Sequence, residues 1–190
     1  MVPTIFLVVS ALCFQQAFSA SYFKFVDCGT DPNRPIIFKE GDVTPHPLQL
    51  PGTIGAHFTA QVKKDVGNNP IIMDVSINKT VLGQPQKIPC VSQVGTCHYP
   101  DVCAMISKYK TSGCPKEIDG TNLPCFCPFK AGTVTLAPTN FVVEKVNALY
   151  TWLASGEFQA RLQLHDSVTK NEVGCLYAQI QVGKQGFLFG

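Results

Sequence analysis

The sequence carries little charge. Lys and Arg number 15 and Asp and Glu 13 among 190 residues, so charged residues make up 15%, against about 25% in typical soluble proteins. Hydrophobic residues make up 45%, and this combination argues against a disordered chain and against a long coiled coil. The net charge of +2 argues against nucleic acid as a partner, because proteins that bind it present a strongly basic face.

The sequence also lacks an apolar run of the roughly 20 residues that a membrane-spanning helix needs. Its most compact apolar run covers residues 5–14 and is followed by the small-residue step A-F-S, with no charged side chain in this region. The pattern is typical of a secretory signal peptide. We therefore expect cleavage of residues 1–19 and a secreted mature chain, residues 20–190, that forms one domain.

Common catalytic motifs are absent as well. The sequence contains no G-x-S-x-G elbow, no H-E-x-x-H helix and no glycine loop of the kind that cradles phosphate. The four histidines lie in unrelated contexts, and three of them stand beside a loop proline or on the polar face of a predicted strand. The sequence therefore predicts no enzyme, no cofactor and no metal site.

Cysteine, by contrast, is abundant. One of the nine cysteines, Cys13, lies in the predicted signal peptide, and eight remain: Cys28, Cys90, Cys97, Cys103, Cys114, Cys125, Cys127 and Cys175. An even number in an oxidising compartment indicates a disulfide framework, although spacing alone leaves 105 possible pairings. A zinc site at Cys125 and Cys127 is the alternative, but a single C-x-C pair is a poor tetrahedral site and secreted thiols oxidise.

Hydrophobic and polar residues alternate along four segments, which predicts half-buried antiparallel strands near residues 54–63, 73–81, 158–165 and 176–182. Shorter strands are predicted at residues 36–38, 134–136 and 140–143, between connections that contain Pro and Gly. One helix is predicted between residues 100 and 113, where apolar side chains recur at helical spacing. The mature chain is therefore predicted to be mostly β.

A bulky apolar cluster lies at residues 149–156 and contains the only Trp, Trp152. The cluster directly precedes a predicted strand and ends at Gly156, which indicates a turn. Two interpretations are open at this point. Trp152 either fills the core, since Trp is usually highly buried, or belongs to an exposed loop that dips into lipid.

Several motifs occur in the order found in one known family. The most specific is the string L-P-C-F-C-P-F-K-A-G-T at residues 123–133. It is accompanied by D-C at 27–28, D-P at 31–32, K-I-P-C at 87–90, G-T-C at 95–97, W-L-A-S-G at 152–156 and V-G-C-L at 173–176. Through these motifs and the eight ordered cysteines, nearly all of the mature chain resembles the ganglioside activator family within the MD-2-related lipid-recognition proteins.

The resemblance implies an all-β fold. This fold is a single antiparallel β-cup, or open sandwich, with a large apolar cavity, one short helix and four disulfides. The disulfides would be Cys28–Cys175, Cys90–Cys97, Cys103–Cys127 and Cys114–Cys125. On apolarity alone, the residues expected to line the cavity are Ile54, Phe58, Val75, Ile77, Phe158, Leu162, Leu164 and Ile180.

The resemblance also implies a function without catalysis. Family members extract a lipid from a membrane, hold its acyl chains in the cup and present the headgroup to a soluble lysosomal glycosidase such as a hexosaminidase. The expected ligand is a glycolipid, sphingolipid or phospholipid, and the expected compartment is the secreted fluid or the lysosomal lumen. Transient membrane contact is expected from the loop residues Leu149, Tyr150, Trp152 and Leu153.

Two features depart from the family pattern. Residues 83–86, before Lys87, are polar where the family has an aromatic segment. The sequon N-K-T at Asn78 lies at a different place from the family's, but Asn78 is on the polar face of its strand and is the predicted glycosylation site. The alternative function is that of a disulfide-rich secreted interaction, signalling or defence protein that uses the same fold without lipid transfer.

Overall fold

Two β-sheets dominate the part of the chain that the structure describes. The structure is a computed structural model and describes residues 23–119, 121–143 and 155–184. In chain order the elements are β1 (Phe23–Asp27), β2 (Ile36–Thr44), β3 (Leu48–Leu50), β4 (Gly52–Val62), β5 (Ile71–Val81), β6 (Gln84–Lys87), β7 (Cys97–Tyr99), α1 (Val102–Ile106), α2 (Tyr109–Ser112), β8 (Gly132–Val143), β9 (Gly156–Asp166) and β10 (Glu172–Lys184). The predicted all-β class is confirmed.

The larger sheet has the strand order β1-β10-β9-β5-β6, with β3 beside β10 and β7 beside β5. Its strand pairs are antiparallel except for β3, which runs parallel to β10. Because apolar and polar residues alternate along these strands, the sheet has one apolar face and one polar face.

The smaller sheet has the strand order β2-β4-β8 and contains two bulges. One bulge lies on β2 between Phe38 and Glu40, and the other lies on β8 between Leu136 and Thr139. Bulges bend a strand and increase its twist, so they curve this sheet. Pro138 lies within the second bulge, on the edge strand β8, where a missing N–H is tolerated. The prediction of two separate strands, at residues 134–136 and 140–143, is therefore wrong, because one continuous strand accommodates the proline.

The apolar faces of the two sheets meet at one end of the molecule. Buried side chains from both sheets and from the loop between β4 and β5 pack together there: Ile36, Ala60, Val62, Val66, Ile71 and Val173. Each of them is exposed by 7% or less. We call this the closed end. The opposite end, where β4 begins and β5 ends, is called the mouth.

Four disulfides use all eight cysteines of the predicted mature chain, in the pairs that the resemblance implies: Cys28–Cys175, Cys90–Cys97, Cys103–Cys127 and Cys114–Cys125. Cys125 and Cys127 therefore have disulfide partners, and the zinc alternative fails. Cys103 and Cys127 also pack against the buried cluster of the closed end. The cysteine-rich segment is thus attached to that end of the sheets.

The predicted helical stretch forms two short helices, α1 and α2. The Asp101 side chain caps α1 by accepting a hydrogen bond of 3.1 Å from the Ala104 N–H. The Ser107 hydroxyl donates to the Ala104 carbonyl at 2.8 Å. Such a side-chain bond competes with the regular helical pattern, and α1 ends just before Ser107.

Candidate functional site

The eight side chains predicted to line a cavity lie on two surfaces that face each other. Strand register places six of them on one face of the larger sheet: Val75, Ile77, Phe158, Leu162, Leu164 and Ile180. The other two, Ile54 and Phe58, lie on the same face of β4 as Ala60 and Val62. Both faces contribute side chains to the closed-end cluster, so they are the inner faces of the two sheets.

These eight side chains are only half-buried, in contrast to the cluster at the closed end. Well-packed cores leave few voids larger than a water molecule, so partial exposure of facing apolar side chains means that the sheets do not pack fully here. The inner faces therefore form an apolar surface that is accessible above the closed end.

Small side chains occupy the middle of both inner faces. One cross-strand row of the larger sheet contains Ile77, Ala160, Ala178 and Phe25, and Ala56 lies on the inner face of β4. The three alanines are half-buried. Because stacked sheets lie about 10 Å apart, methyl groups do not fill the space between them. The alanines are therefore the inner-face positions at which the protein's own side chains contribute least to the interior.

Three inward-facing aromatic residues were missed from the sequence. Phe23 and Phe25 on β1 pair with Ile180 and Ala178, and Phe141 on β8 pairs with Ile54. The alternation F-K-F-V in residues 23–26 was the available signal for β1. Phe141 lay in a predicted strand, but the face to which it points could not be assigned without knowing of the bulge in β8.

A polar contact fixes the connection between β2 and β3 at the mouth. His46 Nε2 lies 2.8 Å from Asp42 Oδ1, and the imidazole ring lies 5.6 Å from the ring of Phe23. This connection is therefore tied both to β2 and to the first residue of β1.

Exposed apolar side chains flank the mouth. Among the described residues, the three large apolar side chains with the greatest exposure are Leu82 at 99%, Val142 at 74% and Val168 at 67%. Leu82 follows β5 and Val142 lies near the end of β8, so both are at the mouth. Val168 lies between β9 and β10 at the closed end. Residues 83–86 were identified from the sequence as polar, and Leu82 was not singled out.

The backbone at Leu82 is unusual for a branched apolar residue. Leu82 has φ of 51° and Gly83 has φ of 77°, so both central residues of the β5–β6 turn are left-handed. Such turns favour Asn-Gly or Asp-Gly, and a left-handed residue other than Gly costs about 1–2 kcal/mol. Leu82 gains no burial within the chain that offsets this cost.

The predicted membrane-contact residues Leu149, Tyr150, Trp152 and Leu153 lie outside the described residues, as does the predicted signal peptide. The described residues on either side of that loop are Val143, which ends β8, and Ser155, which precedes β9. Register pairs Val143 with Gly52 and Gly156 with Val182, so both flanks lie at the mouth.

A pocket of about 320 Å³ lies at the closed end, and most of the residues that line it are polar or charged. The carboxylate of Glu172 accepts hydrogen bonds from the N–H groups of Thr30 and Asp31, each at 3.0 Å. Burial raises the pKa of Glu172, but these bonds and the Thr30 hydroxyl outweigh it, and the net pKa is below its ordinary value of 4.5. Hydrogen bonds from Thr169 and Asn69 likewise lower the pKa of Asp166. The side chains of Glu172 and Asp166 in this pocket are therefore ionised at neutral pH.

We expect acid to weaken this end of the molecule. A carboxyl group with a lowered pKa in the folded state contributes stability above its unfolded pKa, and that contribution is lost as the pH falls through the folded value. The unfolding temperature should therefore be steady from pH 7 to about 5 and fall below pH about 4.5. Glu172→Gln should lower the stability at pH 7 by about 1 kcal/mol and reduce the decline in acid, measured by thermal unfolding across this range. An unchanged acid decline in this variant would contradict the assignment.

Neither a membrane-spanning helix nor a metal-binding cluster is found in the described part of the chain. Within residues 23–119, 121–143 and 155–184, no helix has the length and hydropathy to cross a bilayer. Over the same ranges, no three His, Cys, Asp or Glu side chains are grouped so that they could hold a metal ion.

Comparison with known proteins identifies the family. The family model of the ML domain matches residues 22–182. The chain belongs to the ML-domain family. This ML-domain protein is 33% identical to the ganglioside GM2 activator of Mus musculus over 152 residues, which cover 79% of this chain and 75% of the relative. It is 29% identical to the ganglioside GM2 activator of Macaca fascicularis, over 79% of this chain and 76% of the relative.

Solved structures of other proteins also match this ML-domain protein. A Niemann-Pick type C2 protein from Japanese carpenter ant matches with a TM-score of 0.43 and 13% identity, covering 84% of this chain and 99% of that one. Chicken MD-1 complexed with lipid IVa matches with a TM-score of 0.41 and 8% identity, covering 84% and 88%.

The longest family motif of this ML-domain protein lies at its closed end. Within the string at residues 123–133, Lys130 Nζ lies 2.8 Å from Asp65 Oδ2, and the Ala131 N–H donates to Asp65 Oδ1 at 2.9 Å. The Phe129 N–H donates to the Val66 carbonyl at 2.7 Å. The motif therefore attaches the cysteine-rich segment to the loop between the two sheets.

Proposed function

We propose that this ML-domain protein binds and transfers lipids. It takes the acyl chains of a glycolipid, sphingolipid or phospholipid into the space between its sheets and holds the headgroup at the mouth. The observation that carries this proposal is the contrast between a tightly packed closed end and half-buried apolar inner faces with small side chains at their centre. The eight inner-face residues from Ile54 to Ile180 named above, together with Phe23, Phe25 and Phe141, form the lining.

The free energy of moving an acyl chain explains why such an interior is useful. Each methylene group exposed to water costs about 0.8 kcal/mol, so an exposed acyl chain costs on the order of 10 kcal/mol. A protein interior as apolar as the bilayer removes most of that cost. The lipid then leaves the membrane at a useful rate without any chemical change, and the protein needs no catalytic group.

The relatives suggest an activator role for this lipid carrier. Both are named ganglioside GM2 activators. By analogy, this protein presents the headgroup of a bound glycolipid to a lysosomal glycosidase such as a hexosaminidase. Four disulfides fit a secreted protein or one of the lysosomal lumen, because disulfides persist in oxidising compartments.

Asn78 is the proposed glycosylation site. Asn78 and Thr80 of the sequon share the outer face of β5, where they pair with Lys87 and Pro85 of the edge strand β6. The inner-face residues Ile77 and Lys79 alternate with them along the strand. A glycan on Asn78 would therefore extend from the outside of the larger sheet and leave the interior accessible.

Membrane contact is proposed at the mouth, through Leu82, Val142 and the loop residues Leu149, Tyr150, Trp152 and Leu153. An apolar side chain at the tip of a turn can enter the lipid interface, where its burial is favourable. The flanks of the loop and the β5–β6 turn lie at the same end of the sheets. The acyl chains would thus move from the bilayer into the interior without crossing water.

Leu82→Asn tests this arrangement, because it removes the apolar tip but keeps a residue that favours the left-handed turn. We expect fluorescent lipid to move between vesicles about five- to tenfold more slowly, since about 1–1.5 kcal/mol of membrane contact is lost. The unfolding temperature should stay the same or rise, because Asn suits this turn better than Leu.

Val168→Asn is the matched control. It removes an exposed apolar side chain from a turn at the closed end, and lipid transfer should be unaffected. Equal slowing by both variants would contradict membrane contact at the mouth, and no transfer of any lipid class at neutral or acidic pH would contradict the proposed function. Addition of a lysosomal hexosaminidase to ganglioside-containing vesicles, with and without the protein, tests the activator role in the same assay.

A further inference from the structure

A row of three amide side chains crosses the outer face of the larger sheet. Asn78 on β5 pairs with Gln159 on β9, and Gln159 pairs with Gln179 on β10. All three are half-buried, and each alternates along its strand with residues of the apolar inner face. The proposed glycosylation site is therefore one end of a polar row that continues over two further strands.

A second row of polar side chains lies next to the first, one step closer to the closed end. Arg161 on β9 pairs with Tyr177 on β10 and with Ser76 on β5. Among the residues that the structure describes, the side chains of Gln159, Arg161 and Tyr177 have no hydrogen bond or ion pair. Groups in this situation bond to water, and a ligand with hydroxyl and amide groups can take its place. The two rows thus form a face with unused hydrogen-bonding capacity.

We propose that the N-glycan of Asn78 folds back onto this face and lies along the row towards Gln179. This inference rests on the glycosylation proposed above and not on lipid transfer. The N-acetyl and hydroxyl groups of the sugars would bond to the amides of Gln159 and Gln179. Tyr177 offers an apolar ring with a polar tip, on which the apolar face of a sugar ring can pack.

The sheet provides an extended surface on only one side of Asn78. In the described part of the larger sheet, the edge strand β6 lies beside Asn78 on one side, and β9, β10 and β1 follow on the other. Neighbouring strands are about 4.8 Å apart, so about 10 Å separates Asn78 from Gln179. The first three sugars of an N-glycan span this distance. The glycan can therefore reach the whole amide row.

Covalent attachment of the glycan makes weak contacts sufficient. A short flexible connection holds its two ends at an effective concentration on the order of millimolar. Contacts that are too weak to capture a free oligosaccharide are therefore populated in the attached glycan. The glycan would cover the outer face of the larger sheet, so a partner hydrolase would approach the lipid headgroup from the mouth.

Trimming of the glycan tests the proposal. The full-length protein is produced in a eukaryotic secretory host that attaches high-mannose glycans, and the intact masses of the wild-type protein and Asn78→Gln show whether Asn78 is glycosylated. An endoglycosidase then removes every sugar beyond the first GlcNAc. We expect trimming to lower the unfolding temperature of the wild-type protein by about 2–4 °C, the shift that one or two net hydrogen bonds produce in a chain of this size.

Two glutamines on the outer face of β9 provide a matched pair of variants. Gln159→Ala removes an amide from the row and should reduce the effect of trimming to about half. Gln163→Ala removes the same group further along β9, where Gln163 pairs with Asp74 and Cys175, and the effect of trimming should be unchanged. Tyr177→Leu tests the packing of a sugar. Proton NMR signals of that sugar should lie upfield of those of the free glycan in the wild-type protein and return to the free positions in this variant.

Three outcomes would contradict the inference. A mass difference between the wild-type protein and Asn78→Gln that corresponds to the substitution alone would show that Asn78 carries no glycan. A glycan whose trimming changes neither the unfolding temperature nor the NMR signals extends into solvent. Equal losses in Gln159→Ala and Gln163→Ala would show that the sugars do not follow the row. Lipid transfer between vesicles tests the proposed function separately, because these variants leave the inner face unchanged.

Discussion

Replacing Ala160 with Trp is expected to lower the affinity for lipid by about a hundredfold and to leave the protein folded. Ala160 lies in the middle of the larger sheet's inner face, between Ile77 and Ala178. An indole group there would fill space that an acyl chain needs. Loss of about four buried methylene groups of the ligand, at about 0.8 kcal/mol each, is worth about 3 kcal/mol.

The fold should tolerate Ala160→Trp because Ala160 is half-buried and lies on the inner face that we propose to contact lipid. The measurement pairs lipid binding by native mass spectrometry with thermal unfolding of the lipid-free protein. We expect a change in unfolding free energy of less than about 1 kcal/mol, since the indole gains apolar contact without displacing packed atoms.

Ala60→Trp provides the matched comparison. Ala60 faces the same space from the smaller sheet but is exposed by only 4% and belongs to the closed-end cluster. Overpacking such a site should destabilise the protein by about 3 kcal/mol or more. If Ala160→Trp proved as destabilising as Ala60→Trp, the sheets would be packed throughout, and the interior could not hold a lipid.

Removing the Cys28–Cys175 disulfide is expected to have the largest effect on stability. The two cysteines are 147 residues apart, and the chain-entropy model gives about 5 kcal/mol for a loop of that length. The double variant Cys28→Ala/Cys175→Ala should therefore unfold about 10–20 °C below the wild-type protein. Cys175 is fully buried, so Ala is preferred to the more polar Ser.

The double variant Cys90→Ala/Cys97→Ala separates loop length from the simple loss of a disulfide. These cysteines are only 7 residues apart, and the same model gives about 2 kcal/mol. Differential scanning calorimetry should thus show a decrease in unfolding temperature about half as large. An equal or greater decrease for the short loop would contradict the entropic explanation and point to lost native packing.

The long strands and their inner faces could be predicted from the sequence because both depend on alternation. β4, β5, β9 and β10 each show it over many residues, so both the strand and its inner face follow. The disulfide pairs could not be derived in this way, since spacing leaves 105 combinations. They followed from the resemblance that the family motifs carry. The longest of these motifs, residues 123–133, is connected to the closed end by the contact between Lys130 and Asp65.

The missed elements depend on contacts that the local sequence does not encode. β3 and β7 have three residues each, which is too short for a period to be visible. β6 is polar and contains Pro85, yet it pairs at the edge of the larger sheet, where a proline is tolerated. The position of Leu82 at the tip of the β5–β6 turn could be located only from the register of β5 and β6, because the sequence alone does not show which residues form the turn.

Because the closed end and the mouth are separate, amino-acid substitutions at the mouth need not affect the buried cluster at the closed end. The buried cluster, the string at residues 123–133 and the cysteines that pack beside them all lie away from the mouth. The mouth, in contrast, is built from segments far apart in the chain, including the β2–β3 connection and the β5–β6 turn. Substitutions in these segments can therefore accumulate one at a time without disturbing the buried cluster at the other end. Exchange of the mouth segments between relatives is thus a practical route to new lipid selectivity on an unchanged scaffold.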